Sequence, residues 1–169
     1  MAFLRRHLSE RQRRLVKFCI VGASGVPVNL GFVYLTTRLL PATMVPGTRD
    51  SIAFLVGIVV SIFTNFLLNN VWTWGDRSAL DPGGFWRRLG KFYVVSSVAA
   101  AVQYGTTVGV SAWMREHDSF SLVISDGYHL YHVLAPVAGI AIGLVINFLA
   151  NHLWTFRKKA VQPTEDVDE

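Results

Sequence analysis

The stretch Ser51–Trp74 reads SIAFLVGIVVSIFTNFLLNNVWTW, 24 residues without an Asp, Glu, Lys or Arg. About 20 apolar residues cross the hydrocarbon core of a bilayer as an α-helix, so this stretch is long enough and apolar enough to be a membrane span. Three further blocks read the same way: Phe18–Thr37, Phe92–Met114 and Gly127–Phe156, the last with three histidines but none of those four charged types. The chain around them agrees. Of its 169 residues 51% are hydrophobic and only 16% charged, with a mean hydropathy of +0.38, whereas a soluble domain carries about 25% charge. The sequence therefore predicts an all-α polytopic membrane protein with four transmembrane helices near 18–38, 52–73, 92–114 and 132–154.

Several function classes fall away. Four spans of about 20 residues take up roughly half of the chain, which leaves no segment for a separate catalytic domain, and no enzyme is expected. Cys19 is the one cysteine and cannot form an intrachain disulfide or a CxxC site. There is no GxxxxGK[ST] loop, no HExxH and no Cys/His cluster, so neither a nucleotide cofactor nor a metal is expected. The net charge of +5 does not call for nucleic acid, because the basic residues flank apolar blocks, where a topology signal explains them.

That signal is one-sided. With the N-terminus inside, 13 of the 16 Lys and Arg residues face the cytoplasm, leaving Arg38, Arg49 and Arg115 outside. Positive charge stays on the cytoplasmic face, so the expected topology is N-in, C-in. A cleaved signal peptide fits poorly, since the first apolar run is long and lacks a small-residue cleavage site. Residues 1–16 mix Phe3, Leu4, Leu8 and Leu15 with arginines, as an amphipathic segment on an anionic leaflet would or as a plain positive anchor would. A transmembrane domain is expected over 17–158, with a turn-rich connector at Gly75–Gly84 and an acidic, disordered tail at 159–169.

The chain also repeats itself. A shift of 74 residues places Arg14-Leu15-Val16-Lys17-Phe18 on Arg88-Leu89-Gly90-Lys91-Phe92 and Asn29 on Gln103. A shift of 82 places Asn65-Phe66-Leu67 on Asn147-Phe148-Leu149, and Asn69-Asn70-Val71-Trp72-Thr73-Trp74 on Asn151-His152-Leu153-Trp154-Thr155-Phe156. The eight extra residues belong to the second outer loop, around Glu116–Asp126. Each repeat (14–74 and 88–156) has two spans, so both copies enter the membrane with one orientation and are related by an axis along its normal.

The polar residues of these spans are the candidate site. Spacings of i, i+4 and i+7 put Asn65, Asn69 and Trp72 on one helix face, and Asn147, Asn151 and Trp154 repeat it. An amide in hydrocarbon needs a partner, either a neighbouring helix or a ligand. Trp72 and Trp154, with Trp74 and Phe156, mark the cytoplasmic interface as gate aromatics. Asn65 and Asn147 lie roughly 10 Å deeper by helical rise. Arg14, Lys17, Arg88 and Lys91 offer charge-assisted donors to a phosphate. Asn29, about 18 Å from Lys17 along the helix, and Gln103 extend a polar track outward. Gly22, Gly25, Pro27 and Gly31 permit close packing and a kink. His152 is either an interfacial polar group or a pH-sensitive one, and His129 and His132 with Tyr128 and Tyr131 lie near the outer interface. No carboxylate lies within a span, which argues against a proton-coupled pump.

The Arg-x-x-Lys-Phe-x-x-Val-Gly opening (Arg14 to Gly22), four spans and a repeated Asn-Phe-x-x-Asn-x-x-Trp-Thr-aromatic ending resemble the GtrA-like family over about residues 12–158. Ser96 stands where Gly22 does in the first repeat. The resemblance implies flippase-type movement of a polyprenyl-phosphate-linked monosaccharide for cell-envelope polysaccharide synthesis, in a bacterial plasma membrane. It also implies an alternative, a non-transporting scaffold for a polyprenyl-phosphate glycosyltransferase. The expected partners are the sugar lipid, membrane lipids, a glycosyltransferase and a second copy of the chain, since four short helices make a thin wall around a hydrophilic sugar.

Overall fold

The computed structural model describes residues 9–81, 84–117, 123–125 and 128–157. The first half of the basic N-terminal segment, the tail, most of the expected outer-loop insertion and two connector residues lie outside them.

Helix α1 spans Glu10–Leu39. Ser9 starts it with a capping box: its hydroxyl accepts the Gln12 N–H at 3.3 Å, and the Gln12 side chain accepts the Ser9 N–H at 2.9 Å, satisfying two otherwise orphaned donors. Residues 10–16 are thus the first turns of the long apolar helix, continuous with it. Helix α2 (Pro46–Leu68) opens on a proline, which suits a first turn where no N–H partner exists. It runs on as a π-helical turn over Asn69–Thr73. A short helix α3 (Gly75–Ser78) leads to α4 (Phe85–Arg115). Two short antiparallel strands, β1 (Val123–Ser125) and β2 (Tyr128–His129), precede α5 (Tyr131–Ala150). A second π-helical turn, Asn151–Thr155, extends α5.

Two helical hairpins result, α1 on α2 and α4 on α5. Each closes on a glycine. A Cβ on Gly57 would lie 2.7 Å from Val33 Cγ2 and 2.9 Å from the Asn29 carbonyl; one on Gly139 would lie 2.6 Å from the Gln103 carbonyl and collide with Thr107 Oγ1. Small residues let backbones approach this closely where lipid supplies no hydrophobic drive for association. Among the described residues three stretches, Glu10–Leu39, Gly47–Thr73 and Tyr131–Thr155, are long and apolar enough to cross a membrane. They mark the chain as a membrane protein, and side chains such as Leu30, Leu55, Val71 and Val137, all more than half exposed, suit lipid. Helix α4 is 31 residues long but more polar, with Ser96, Ser97, Gln103, Thr106 and Thr107 in its middle.

The hairpins meet at one end in an aromatic core of Phe18, Phe66, Trp74, Phe92, Phe148 and Phe156, each at most 5% exposed. Phe18 reaches Phe148 at 5.7 Å and Phe66 reaches Phe92 at 5.6 Å. Trp74 and Phe156 stack at 4.5 Å with 5° between their planes. Aromatic pairs contribute about 0.5–1.5 kcal/mol each beyond the area they bury.

Ionic contacts close this end. Buried Arg14 pairs with Glu10 and donates to Asp76 at 2.7 Å. Buried Arg88 donates to Asn70 Oδ1 at 3.0 Å and to the Asp81 carbonyl at 2.6 Å, with the Asp81 carboxylate 3.7 Å away. Arg77 donates to the carbonyls of His152 and Phe156, both at 2.9 Å, capping the end of α5 where carbonyls lack intrahelical partners. Burial by itself would raise the Asp76 carboxyl, but the hydrogen bond and charge of Arg14 outweigh it and hold it below the ordinary carboxylate value.

Two predictions follow from this packing. Gly57→Val and Gly139→Val should each destabilise the protein by about 1–3 kcal/mol through overpacking. Gly31→Ala and Gly105→Ala, where a Cβ meets open space, should leave the thermal midpoint in detergent unchanged. The lowered Asp76 carboxyl adds stability above its unfolded pKa of about 3.9, and that stability disappears as pH falls through the folded value. Asp76→Asn should therefore be less stable than wild type at neutral pH, and thermal unfolding across a pH series should show the two converge in acid.

Candidate functional site

The aromatic end carries two lysine–tryptophan pairs, one per hairpin. Lys17 Nζ lies 5.4 Å from the centroid of Trp72 and donates to the Trp72 carbonyl at 3.0 Å. Lys91 Nζ lies 4.8 Å from the centroid of Trp154. An ammonium over an indole face is held by the ring quadrupole. Each pair joins the first turns of one long helix to the π-helical end of its neighbour.

The π turns account for the placement. Trp74 N–H bonds the Asn69 carbonyl at 2.9 Å and Phe156 N–H bonds the Asn151 carbonyl at 2.8 Å, five residues apart rather than four, and this wider turn changes which residues share a face. Helical spacing predicts one face for Asn65, Asn69 and Trp72. Instead, Asn69 is 1% exposed and accepts the Thr73 hydroxyl at 2.7 Å, while Trp72 turns out over Lys17. Asn151, fully buried, donates to the Asn147 carbonyl and side-chain oxygen at 2.9 and 2.7 Å. These two amides brace the turns.

Other expected site residues divide similarly. Trp74 and Phe156, expected as interfacial rings, are instead the buried centre of the bundle, with Trp74 Nε1 donating to His152 Nδ1 at 3.4 Å. The reason is their place just past the π turns, which aims them at each other. Arg14 and Arg88 are buried and occupied by the ion pairs described above, leaving Lys17 and Lys91 as the half-buried cations beside the tryptophans. Asn65 packs on Gly25, where a Cβ would fall 2.6 Å from its Nδ2, and its Oδ1 is buried without a partner. Asn29 and Gln103 sit against Gly57 and Gly143 of their own hairpins; Gln103 remains exposed.

The contacts of Asp76, Arg77 and Asp81 were missed from sequence, since no local pattern predicts how a connector folds back. The aromatic core was within reach: the repeat registers already pair Phe18 with Phe92, Phe66 with Phe148 and Trp74 with Phe156. Among the described residues no cluster of His, Cys, Asp or Glu could hold a metal ion. Chemically, the arrangement offers two ammonium groups at a polar–apolar boundary, suited to a phosphate, and a buried amide oxygen able to accept from a hydroxyl.

Comparison with known proteins adds a family. Residues 17–127 match the family model described as GtrA/DPMS, transmembrane domain. Over 138 residues the chain is 29% identical to a dolichol-phosphate mannosyltransferase of Pyrococcus furiosus. That alignment covers 82% of this chain and 32% of the relative, so the chain spans about a third of the mannosyltransferase's length. With residues 17–127, the greater part of its length, matched by the family model, the chain belongs to the GtrA/DPMS transmembrane-domain family.

Proposed function

We propose that this protein moves a polyprenyl-phosphate-linked monosaccharide between the leaflets of the plasma membrane, as a flippase, for cell-envelope glycan synthesis. In this reading all four long helices cross the bilayer, the two hairpins are parallel copies, and the aromatic end faces the cytoplasm. The single observation that carries it is the lysine–tryptophan pair present at the same end of both hairpins, in a family linked to polyprenyl-phosphate sugar metabolism.

The roles then follow from the geometry. Lys91 attracts the lipid phosphate at the interface, while Lys17, tied to the Trp72 carbonyl, and Arg14 and Arg88 brace the closed end and add positive field. Asn65, with its unpartnered oxygen, and Asn147 bond sugar hydroxyls. Trp154 flanks the way in. The stacked Trp74 and Phe156 close the cytoplasmic end between transport events. The chain performs no bond chemistry, and transport runs down the lipid-sugar gradient.

A second reading, a scaffold that holds a glycosyltransferase, is favoured by one observation: the similar Pyrococcus protein is named as a mannosyltransferase and is about three times the length of the matched region. Here the basic runs of the sequence at Arg5–Arg14 and Arg87–Lys91 matter more than the buried amides, with Arg11 and Arg87 exposed and Arg14 and Arg88 buried.

Proteoliposomes containing this protein alone separate the two. Polyprenyl-phosphate sugar reaching the far leaflet, scored with a membrane-impermeant reagent, should move with wild type. It should fall to the protein-free rate with Asn65→Leu/Asn147→Leu that retains its thermal midpoint. Unchanged transport in that double variant would sink the amide assignment. Absent transport by folded wild type, with a glycosyltransferase still co-purifying with the double variant, would establish the scaffold.

A further inference from the structure

The two lysine–tryptophan pairs occupy matching places but are not equivalent. We propose that the second pair, Lys91 and Trp154, is the docking site for the phosphate of a polyprenyl monophosphate, and that the first pair, Lys17 and Trp72, is a structural brace. The proposal rests on the lipid-sugar reading above and assigns its phosphate to one hairpin.

Four differences point the same way. Lys17 already donates to the Trp72 carbonyl, whereas Lys91 has no hydrogen-bond or ion-pair partner among the described residues and only the Trp154 ring beside it. Its ammonium keeps all three N–H groups for an incoming anion. The nearby carboxylate does not compete, because Asp81 is held by Arg87 at 2.5 Å and by Arg88. Second, Trp154 is 47% exposed, while Trp72 is only partly so. Third, the residue before Lys91 is the exposed Gly90, with open space where a Cβ would stand, while the residue before Lys17 is the half-buried Val16. Exposed Arg157 likewise follows Trp154 where the first repeat has Gly75.

The fourth difference concerns the lipid tail. Val145 and Leu149, one turn apart on α5, and Leu153, in the π turn next to Trp154, are 51%, 42% and 65% exposed, apolar side chains open to lipid on the same hairpin as Trp154. Their counterparts in the first hairpin are Phe63 and Leu67, which are half-buried, Leu67 against the aromatic core, and Val71, which is 75% exposed, so the difference lies in the two helical positions. The second hairpin therefore presents a cation, an aromatic face and an apolar track in sequence, the chemistry of a long-chain phosphate monoester at a membrane surface.

The test measures binding of a sugar-free polyprenyl monophosphate to the full chain in nanodiscs, counted as the lipid adduct by native mass spectrometry. Uncharged polyprenol and inorganic phosphate serve as the comparison arms. Lys91→Gln should weaken binding about tenfold, the loss of one charge-assisted contact, and Lys91→Arg should restore most of it. Lys17→Gln should lower the thermal midpoint and keep the affinity. Wild-type binding by folded Lys91→Gln, or an equal loss in folded Lys17→Gln, would overturn the assignment. So would displacement of the lipid by inorganic phosphate at its own affinity, which would make the site one for free phosphate. Translocation that persists in Lys91→Gln would sink this site and leave the transport reading standing; Lys91-dependent binding without translocation would do the reverse.

Discussion

The stack of Trp74 on Phe156, 4.5 Å apart and nearly parallel, is the contact around which the two hairpins are organised. In a bilayer apolar side chains gain nothing by leaving lipid for a protein interior, so helix association rests on close packing and polar contacts. Within each hairpin, glycines at 57 and 139 supply the close approach. Between hairpins the aromatic rings do it, concentrated at one end with Phe18, Phe66, Phe92 and Phe148 around the stack. The same end carries the charged contacts that hold it shut: Arg77 on the α5 carbonyls, Arg14 on Asp76, and Arg88 on Asn70 and the Asp81 loop.

The π turns make this arrangement possible. An uninterrupted α-helix would carry Asn69 and Trp72 round one face together. The wider turn lets the asparagine point into the core while Trp72 stands beside Lys17 and Trp74 enters the stack. The buried Asn69–Thr73 and Asn151–Asn147 hydrogen bonds hold the turns in that form. Such turns are frequent at functional positions, and here they separate core-facing from outward-facing side chains in a motif of ten residues. The equivalence of the hairpins ends at the lysines: Lys17 is tied to a carbonyl, and Lys91 is not.

The helices were legible in the sequence because charge-free runs of this length have one economical solution in lipid, where every backbone polar group must be satisfied within its own segment. That one hairpin recurs as the other was legible because the repeat registers align Asn29 with Gln103 and Gly57 with Gly139; that α1 packs on α2 and α4 on α5 came from the structure. The site was half legible. Lys17 stands by Trp72 and Lys91 by Trp154, at the helix ends where the sequence expects these residue types to gather. The roles of Arg14, Arg88, Asn69, Asn151, Trp74 and Phe156 were not readable, because each depends on a contact across the fold or on a helix that changes its winding.

By itself, then, the sequence determined long apolar helices, the recurrence of one helix-ending motif and the gathering of cations at one end, since length, composition and register are properties of a single segment. Only the tertiary structure decided which of those residues are buried against each other and which stay at the surface. Burial and hydrogen-bond saturation are set by the neighbour that arrives. Arg14 finds Asp76 across 62 residues of chain, Trp74 finds Phe156 in the other hairpin, and Lys91 meets no such partner among the described residues.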